Sequence, residues 1–514
     1  MQNTKWSSKN RYYLTLLSIF FLSFNALFIS LAISFAEEDP IESTIDKSDE
    51  KSAIEIWEER IERKPTIIDK INANLSWTGY FKQEVAFRYV RPPAFSKILN
   101  VFQIESNYSF NPSIVLYSRL YSFYDAIYNI EDPDIVNPRK GPESILTDAP
   151  PPEDIPEIDI RNIRAVAIND IDIEFKELYF DLHFRDFDLR VGKQIVRWGV
   201  VEGSRVTDEI NPLDMGEFIL RDIVDRYIPL WMLKLDYYFT EDTVQFLWII
   251  DIQGHKPALK ESQWEQFRFL KGFKKKANTF RNSEVAFRLS RLIKGWDFSL
   301  SYFYTWDDFP AAFRILREVE GFGVSPEVDF TPEYTRLNII GTTFSRSIGR
   351  YVLNSEMALV LGKLFGSDFG ILEKGKEILT DFGEIKKNYI KYAVGLDFVF
   401  LGTDISLQFL QAYIINYESI IIQDKFDTVL GFFARKELFD NRLVPQVLII
   451  HFVNNIETLT RPKIEYSITD NMKFAIGADI LNGLISTSST PGDFNFVGFF
   501  RNNDRVYFEI KYSF

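Results

Sequence analysis

The sequence predicts an all-β fold: a transmembrane antiparallel β-barrel of about eighteen strands, or sixteen if two segments pair differently. Three observations carry this. About eighteen segments from residue 73 onward alternate apolar and polar residues with period two, the mark of a strand with one apolar face. The segments run about ten to fifteen residues. Soluble strands usually have about five or six, whereas ~9–11 tilted residues cross a bilayer. Tight turns alternate with mostly longer connections, as short periplasmic turns alternate with long external loops in such barrels.

At the N-terminus the chain has the parts of a secretory signal. Lys5, Lys9 and Arg11 precede a nearly unbroken apolar run, residues 14–33. Ser34-Phe35-Ala36 is a small-x-small site, with cleavage expected after Ala36. The acidic Glu37-Glu38-Asp39 that follows favours removal over anchoring. No later run approaches the ~20 apolar residues of a spanning helix. Residues 37–72 read as an acidic periplasmic segment, with one short helix over 53–63 that places Ile54, Trp57 and Ile61 on a stripe. That helix would plug the periplasmic mouth or dock a partner. Residues 73–514 read as the barrel.

Within it, Leu75, Trp77, Phe81, Val85 and Phe87 share a face opposite Lys82, Glu84 and Arg88. Trp231, Leu233, Leu235 and Tyr237 oppose Lys234 and Asp236. Phe298, Leu300, Tyr302 and Tyr304 oppose Asp297, Ser299 and Ser301. Tyr392, Val394, Leu396 and Phe398 oppose Lys391, Gly395 and Asp397. The last segment sets Val506, Phe508, Ile510, Tyr512 and Phe514 against Arg505, Glu509 and Lys511. In residues 171–182 the apolar phase slips between Phe175 and Leu178, which predicts a bulge. Tight turns are expected at Asn111-Pro112, 183–186, 240–242, Lys294-Gly295, 348–350, Gly402-Thr403, 439–441 and 469–471.

The net charge of −14 is unevenly spread. Residues 37–62 carry eleven acids against three bases, and residues 129–160 nine against two. The rest is nearly neutral, which argues against a nucleic-acid partner. The lumen side offers both signs: Lys82, Glu84, Arg88, Lys234, Asp236, Asp251, Arg288, Asp397, Lys463, Glu465, Asp479, Arg505, Glu509 and Lys511. No run of one sign marks a basic ladder. There is no cysteine, and His183, His255 and His451 are scattered without a triad-like neighbourhood. No metal, no cofactor and no enzymatic activity are expected.

The connection 199–228 is the most informative loop. Asp214 reads as the N-cap of a helix over 215–227 whose charges are Glu217, Arg221, Asp222, Asp225 and Arg226. As the third external loop it either folds inward, where these groups with Arg88, Lys234 and Asp236 become constriction or pore-lining candidates, or packs on the rim. Gly192 suggests a bulge or close backbone approach, Gly199 a sharp turn into the loop, and Trp198 a place in the interfacial girdle. The loop 254–281, with Lys256, Arg281 and Trp264 among its basic and aromatic residues, suits either a lipopolysaccharide-facing surface or plain solvation.

Arg190-Val191-Gly192-Lys193-Gln194, Trp198-Gly199, Ile210-Asn211-Pro212-Leu213-Asp214, Arg221-Asp222 and Ile228-Pro229 together resemble the core signature of domain of unknown function 1302, a group of Gram-negative outer-membrane barrels. The final strand ending on Phe514 is similar to the terminal signal of such barrels. The resemblance implies an outer-membrane location and makes Gly192, Trp198, Gly199, Asn211, Pro212 and Asp214 structural residues. It implies periplasmic exporter components as partners, besides outer-membrane lipid and lipopolysaccharide. It also implies a cargo of hydrophobic or lipid-like molecules, and analogy with general porins implies a homo-oligomer. The expected function is a porin-like channel for small molecules of that kind. The alternative is a non-conducting structural or docking barrel serving an exporter.

Overall fold

The computed structural model describes residues 74–90, 93–130, 157–159, 164–167, 171–258, 262–265, 278–317, 327–367, 384–483 and 496–514. The signal peptide expected over 1–36 and the acidic segment and short helix expected over 37–72 lie outside the described residues.

Eighteen antiparallel strands form one closed wall. They are β1 (Leu75–Arg88), β2 (Ala94–Asn111), β3 (Ile114–Asp125), β4 (Ile171–His183), β5 (Phe187–Gln194), β6 (Leu230–Tyr238), β7 (Asp242–Ile249), β8 (Glu284–Ile293) and β9 (Trp296–Trp306). The circuit continues with β10 (Arg336–Ile348), β11 (Tyr351–Gly366), β12 (Glu384–Phe400), β13 (Thr403–Ile414), β14 (Phe426–Lys436), β15 (Leu443–Phe452), β16 (Glu457–Ser467), β17 (Met472–Asn482) and β18 (Arg505–Ser513). Each pairs with its neighbour in sequence. β18 closes on β1 in a register running from Tyr80↔Ser513 to Arg88↔Arg505. All eight expected tight turns join strand pairs.

Period-two patterning sets which face is which. Val191, Leu289, Leu300, Ile340, Met357, Val394 and Leu430 are exposed on the outside of the wall. Phe110, Phe184, Phe239 and Phe400 crowd the short-turn end, as an aromatic girdle does. The inward face is polar over β1, β17 and β18. Over β7 to β12 it carries buried Leu247, Ile249, Ala286, Phe303, Leu337, Ile339, Ala358, Val360 and Ala393.

The slip expected in β4 is a bulge. Arg119 pairs with Glu177 and Leu120 with Phe175, leaving Lys176 as the extra residue. A second bulge, at Val360/Lys363 in β11, uses Gly362 at φ +91°. Two long connections carry short strands: Glu157–Asp159 pairs with Arg164–Ala167, which extends the wall by pairing with the start of β4, and Ala311–Arg317 pairs with Glu327–Glu333 as a separate ribbon.

Candidate functional site

The loop 199–228 lies inside the lumen, fastened by its own polar groups. Gly192 prepares the entry. A Cβ there would stand 2.3 Å from the Leu178 carbonyl oxygen, and its φ is +145°, a conformation that side chains other than glycine rarely adopt. Past β5 the chain turns inward and Asn211 ties the two ends of the loop together. Its Oδ1 accepts from Val196 N–H (2.8 Å), and its Nδ2 donates to the Ile228 carbonyl (2.8 Å) and the Gln194 carbonyl (3.3 Å). Ile228 N–H donates to the Pro212 carbonyl (2.8 Å), so Pro212 belongs to the same staple. Asp208 accepts from Trp198 N–H (3.0 Å) and from the Tyr227 hydroxyl.

One side of the loop rests on β11 to β13. Glu356, fully buried on β11, accepts from Val200 N–H and Val201 N–H (2.6 Å each), Thr207 N–H (3.0 Å) and the Thr207 hydroxyl (2.8 Å). A Cβ on Gly199 would come within 3.2 Å of that carboxylate, so the glycine permits a close approach. Lys391 pairs with Glu209, and Gln408 Nε2 donates to the Glu202 carbonyl (2.8 Å). Val196, Trp198, Val201, Val206 and Ile210 pack on the apolar inner wall of β7 to β12.

The other side reaches β1, β2, β17 and β18. Glu217 pairs with Lys97 (2.8 Å), Arg221 (2.9 Å) and Arg505 (3.4 Å). Lys97 also holds Glu84 (2.8 Å), and Arg505 holds Asp479 (2.7 Å). Asp214 pairs with Lys256 (3.1 Å) and Arg221 (3.7 Å). Burial by itself raises the Glu217 carboxyl, but Lys97, Arg221 and Arg505 reverse that and hold it well below the usual carboxylate range. Asp214 is lowered in the same way by Lys256 and Arg221 against its burial. Burial, with Arg205 beside it, lowers the Arg226 guanidinium to about 10. Burial and the cations Arg205 and Lys363 depress His255, whose Nδ1 accepts from Leu213 N–H (2.9 Å).

Between the loop and the short-turn end is a cavity of about 350 Å³, lined by Lys82, Arg119, Lys463, Lys473 and Lys511 and by Glu105, Asp222, Asp225, Glu465 and Glu509. A smaller cavity of about 160 Å³ also borders on Leu220, Arg221, Phe433 and Arg461. Elsewhere on the loop, Phe218 and Leu220 pack with Trp264, Leu459, Leu481, Val497 and Phe500. Glu457 fixes that contact by accepting from Val497 N–H (2.9 Å) and Gly498 N–H (3.2 Å).

Several expectations need correction. The helix expected over 215–227 is one turn, Ile223–Arg226. Asp214 Oδ1 accepts from Gly216 N–H (2.7 Å) in a local turn, and Phe218 sits at φ +56°, which a helix cannot continue. Trp198 is not in an outer girdle. It is buried on the lumen side, donating from Nε1 to Gln245 (2.6 Å). Lys256 and Trp264, read as part of an outward basic stretch, contact Asp214 and Phe500 instead.

Of the pore-lining candidates, Glu217 and Arg221 meet in the loop's ion-pair network, and Asp222 and Asp225 face the larger cavity. Arg226 is buried with Met215 (3.0 Å to Sδ), and Arg88 is buried against Gln263 (3.3 Å). Lys234 and Asp236 pair with each other (2.7 Å) on β6. Glu356, Lys97, Glu209 and Lys391 were missed. The second apolar face at Leu247 and Ile249 signalled only the apolar inner wall on which the loop packs, not these charged partners.

The family described as protein of unknown function DUF1302 matches residues 62–247, the part of the chain that holds the motif. No curated protein matches. Solved structures similar to the chain include OccAB3 of Acinetobacter baumannii (TM-score 0.43, 9% identity, 86% of this chain and 99% of that one). OpdK of Pseudomonas aeruginosa, solved with vanillate, has TM-score 0.44 and 8% identity over the same shares. OmpT of Vibrio cholerae, an outer membrane protein, has TM-score 0.39 and 8% identity, again over 86% and 99%.

Proposed function

We propose that this chain is a porin-like channel of the bacterial outer membrane, narrowed by residues 199–228. The supporting observation is a loop tied to two separate arcs of a closed wall, by Glu356 and Lys391 on one arc and by Lys97 and Arg505 on the other. A water-filled lumen is the default for a wall of this strand number unless loops fill it, and a loop held by both sides sets its width. The apolar outer belt and the aromatic short-turn end suit a bilayer with that end in the periplasm. Charged walls beside the loop favour small polar or amphiphilic solutes over the lipid-like cargo that the motif resemblance implies.

The second reading, a plugged barrel that docks exporter components, draws on one observation. The Phe218, Trp264, Val497 and Phe500 cluster adds apolar packing to the loop. Single-channel recording in planar bilayers separates the two. The channel reading expects steady conductance that rises when residues 203–226 are deleted. A barrel that is closed with and without those residues would overturn it.

A further inference from the structure

The register places three lysines abreast on the lumen wall. Lys82 on β1 pairs with Lys511 on β18, and Lys511 with Lys473 on β17. Like charges directly opposite on neighbouring strands are destabilising. One of the three is neutralised, Lys473 by Glu465 (3.0 Å). Neither Lys82 nor Lys511 has an ion pair within 4.0 Å among the described residues; Lys511 instead lies over the Tyr80 ring (4.1 Å). Across the same cavity the loop presents Asp222 and Asp225, whose carboxylates also lack an ion pair among the described residues. Glu509, on the wall, is the remaining unpaired anion. The other lining charges are engaged: Arg119 with Glu105 (3.2 Å) and Lys463 with Glu465 (3.8 Å).

The lining holds as many cations as anions and so has no net preference for one sign, and its charges without an ion pair are unevenly placed: Lys82 and Lys511 lie on the wall with one carboxylate, Glu509, whereas the loop side presents only the carboxylates Asp222 and Asp225. We propose that it is a binding subsite for small zwitterionic solutes, the anionic end held by Lys82 and Lys511 and the cationic end by Asp222 and Asp225. A solute with both charges satisfies both sets at once. A single ion meets one set and is repelled by the other. At about 350 Å³ the space suits a molecule of amino-acid or dipeptide size.

This inference rests on the channel reading for transport but has its own binding readout. Glycylglycine, its neutral N-acetyl amide analogue and succinate serve as probes. Their uptake into proteoliposomes is measured, with calorimetric binding to the detergent-solubilised full chain. Glycylglycine should bind and pass roughly tenfold better than either comparator, the ratio of one charge-assisted hydrogen bond. Either Lys82→Gln with Lys511→Gln or Asp222→Asn with Asp225→Asn should remove that preference. The exchanged variant, with Lys82→Asp, Lys511→Asp, Asp222→Lys and Asp225→Lys, should regain it, which a merely structural role would not produce. Equal binding of the three probes, or a preference that survives both neutralised pairs, overturns the proposal. Binding preference without any uptake would instead count against the channel.

Discussion

Glu356 accepts four hydrogen bonds from residues 200–207, three of them from backbone N–H groups that have no strand partner. Hydrogen bonds to a charged acceptor contribute about 1.5–3 kcal/mol each. Glu356→Ala should therefore free the first half of the loop while leaving the wall intact. Hydrogen exchange at Val200, Val201 and Thr207 should accelerate by at least roughly tenfold, and unchanged protection would show that packing alone holds the segment. Glu217 gives the matching pH dependence. Its folded pKa lies below its unfolded value of about 4.3, so its anchoring is fully present above that value and is lost as pH falls through the depressed one. Channel noise should thus rise as pH drops below about 4. Glu217→Gln should be noisy already at pH 7, with a smaller further change on acidification. The motif residues were legible as a group, but their work was not. Asn211 donates to carbonyls 17 residues to either side of itself, at Gln194 and Ile228, and nothing in one-dimensional spacing shows which carbonyls those are.

Among the elements, strands were read well because each needs only its own alternation and a turn at its end. The bulge in β4 was readable for the same reason: one extra residue shifts every later side chain to the other face. The helix over 215–227 was misread because its charges fit a helical surface as well as they fit an ion-pair network. Arg221 and Glu217, four apart, do pair, but within a chain of turns whose shape is set by Lys97, Arg505 and Lys256 from elsewhere in the sequence. The entry to the loop makes a sharper test. Gly192→Ala should destabilise the barrel by at least about 2 kcal/mol, through an unfavourable backbone conformation and a collision with the β4 backbone. Gly295→Ala, also at positive φ (+81°) but in open space at a tight turn, should cost about 1 kcal/mol. Urea unfolding in lipid vesicles measures both; equal losses would mean that the contact between Gly192 and β4 carries no weight.

At the scale of the whole molecule, stability depends on closure, since an open wall would leave two edges with unpaired backbone groups in hydrocarbon. The last residue takes part in that closure directly. Phe514 and Gly79 exchange two backbone hydrogen bonds (3.0 Å each), extending the β1–β18 seam below Tyr80↔Ser513. The Phe514 ring meets Trp77 edge-on (5.7 Å between centroids) and stacks near Phe102 (6.4 Å). Gly79 is needed there because a Cβ would stand 2.7 Å from the Phe514 ring and 2.6 Å from the Gln103 carbonyl. Deleting Phe514 removes the bonds and the ring; Phe514→Ala removes the ring alone. Aromatic contacts are worth about 0.5–1.5 kcal/mol beyond the area they bury. Both variants should therefore fold more slowly into vesicles, the deletion more so, as read by the gel-mobility difference between the folded and the unfolded chain. A Gly79→Ala chain should match the deletion, since it breaks the seam from the other side. If all three fold at the parent rate, the seam is secured by the nine pairs from Tyr80 to Arg88 alone, and Phe514 has no part in closing the wall.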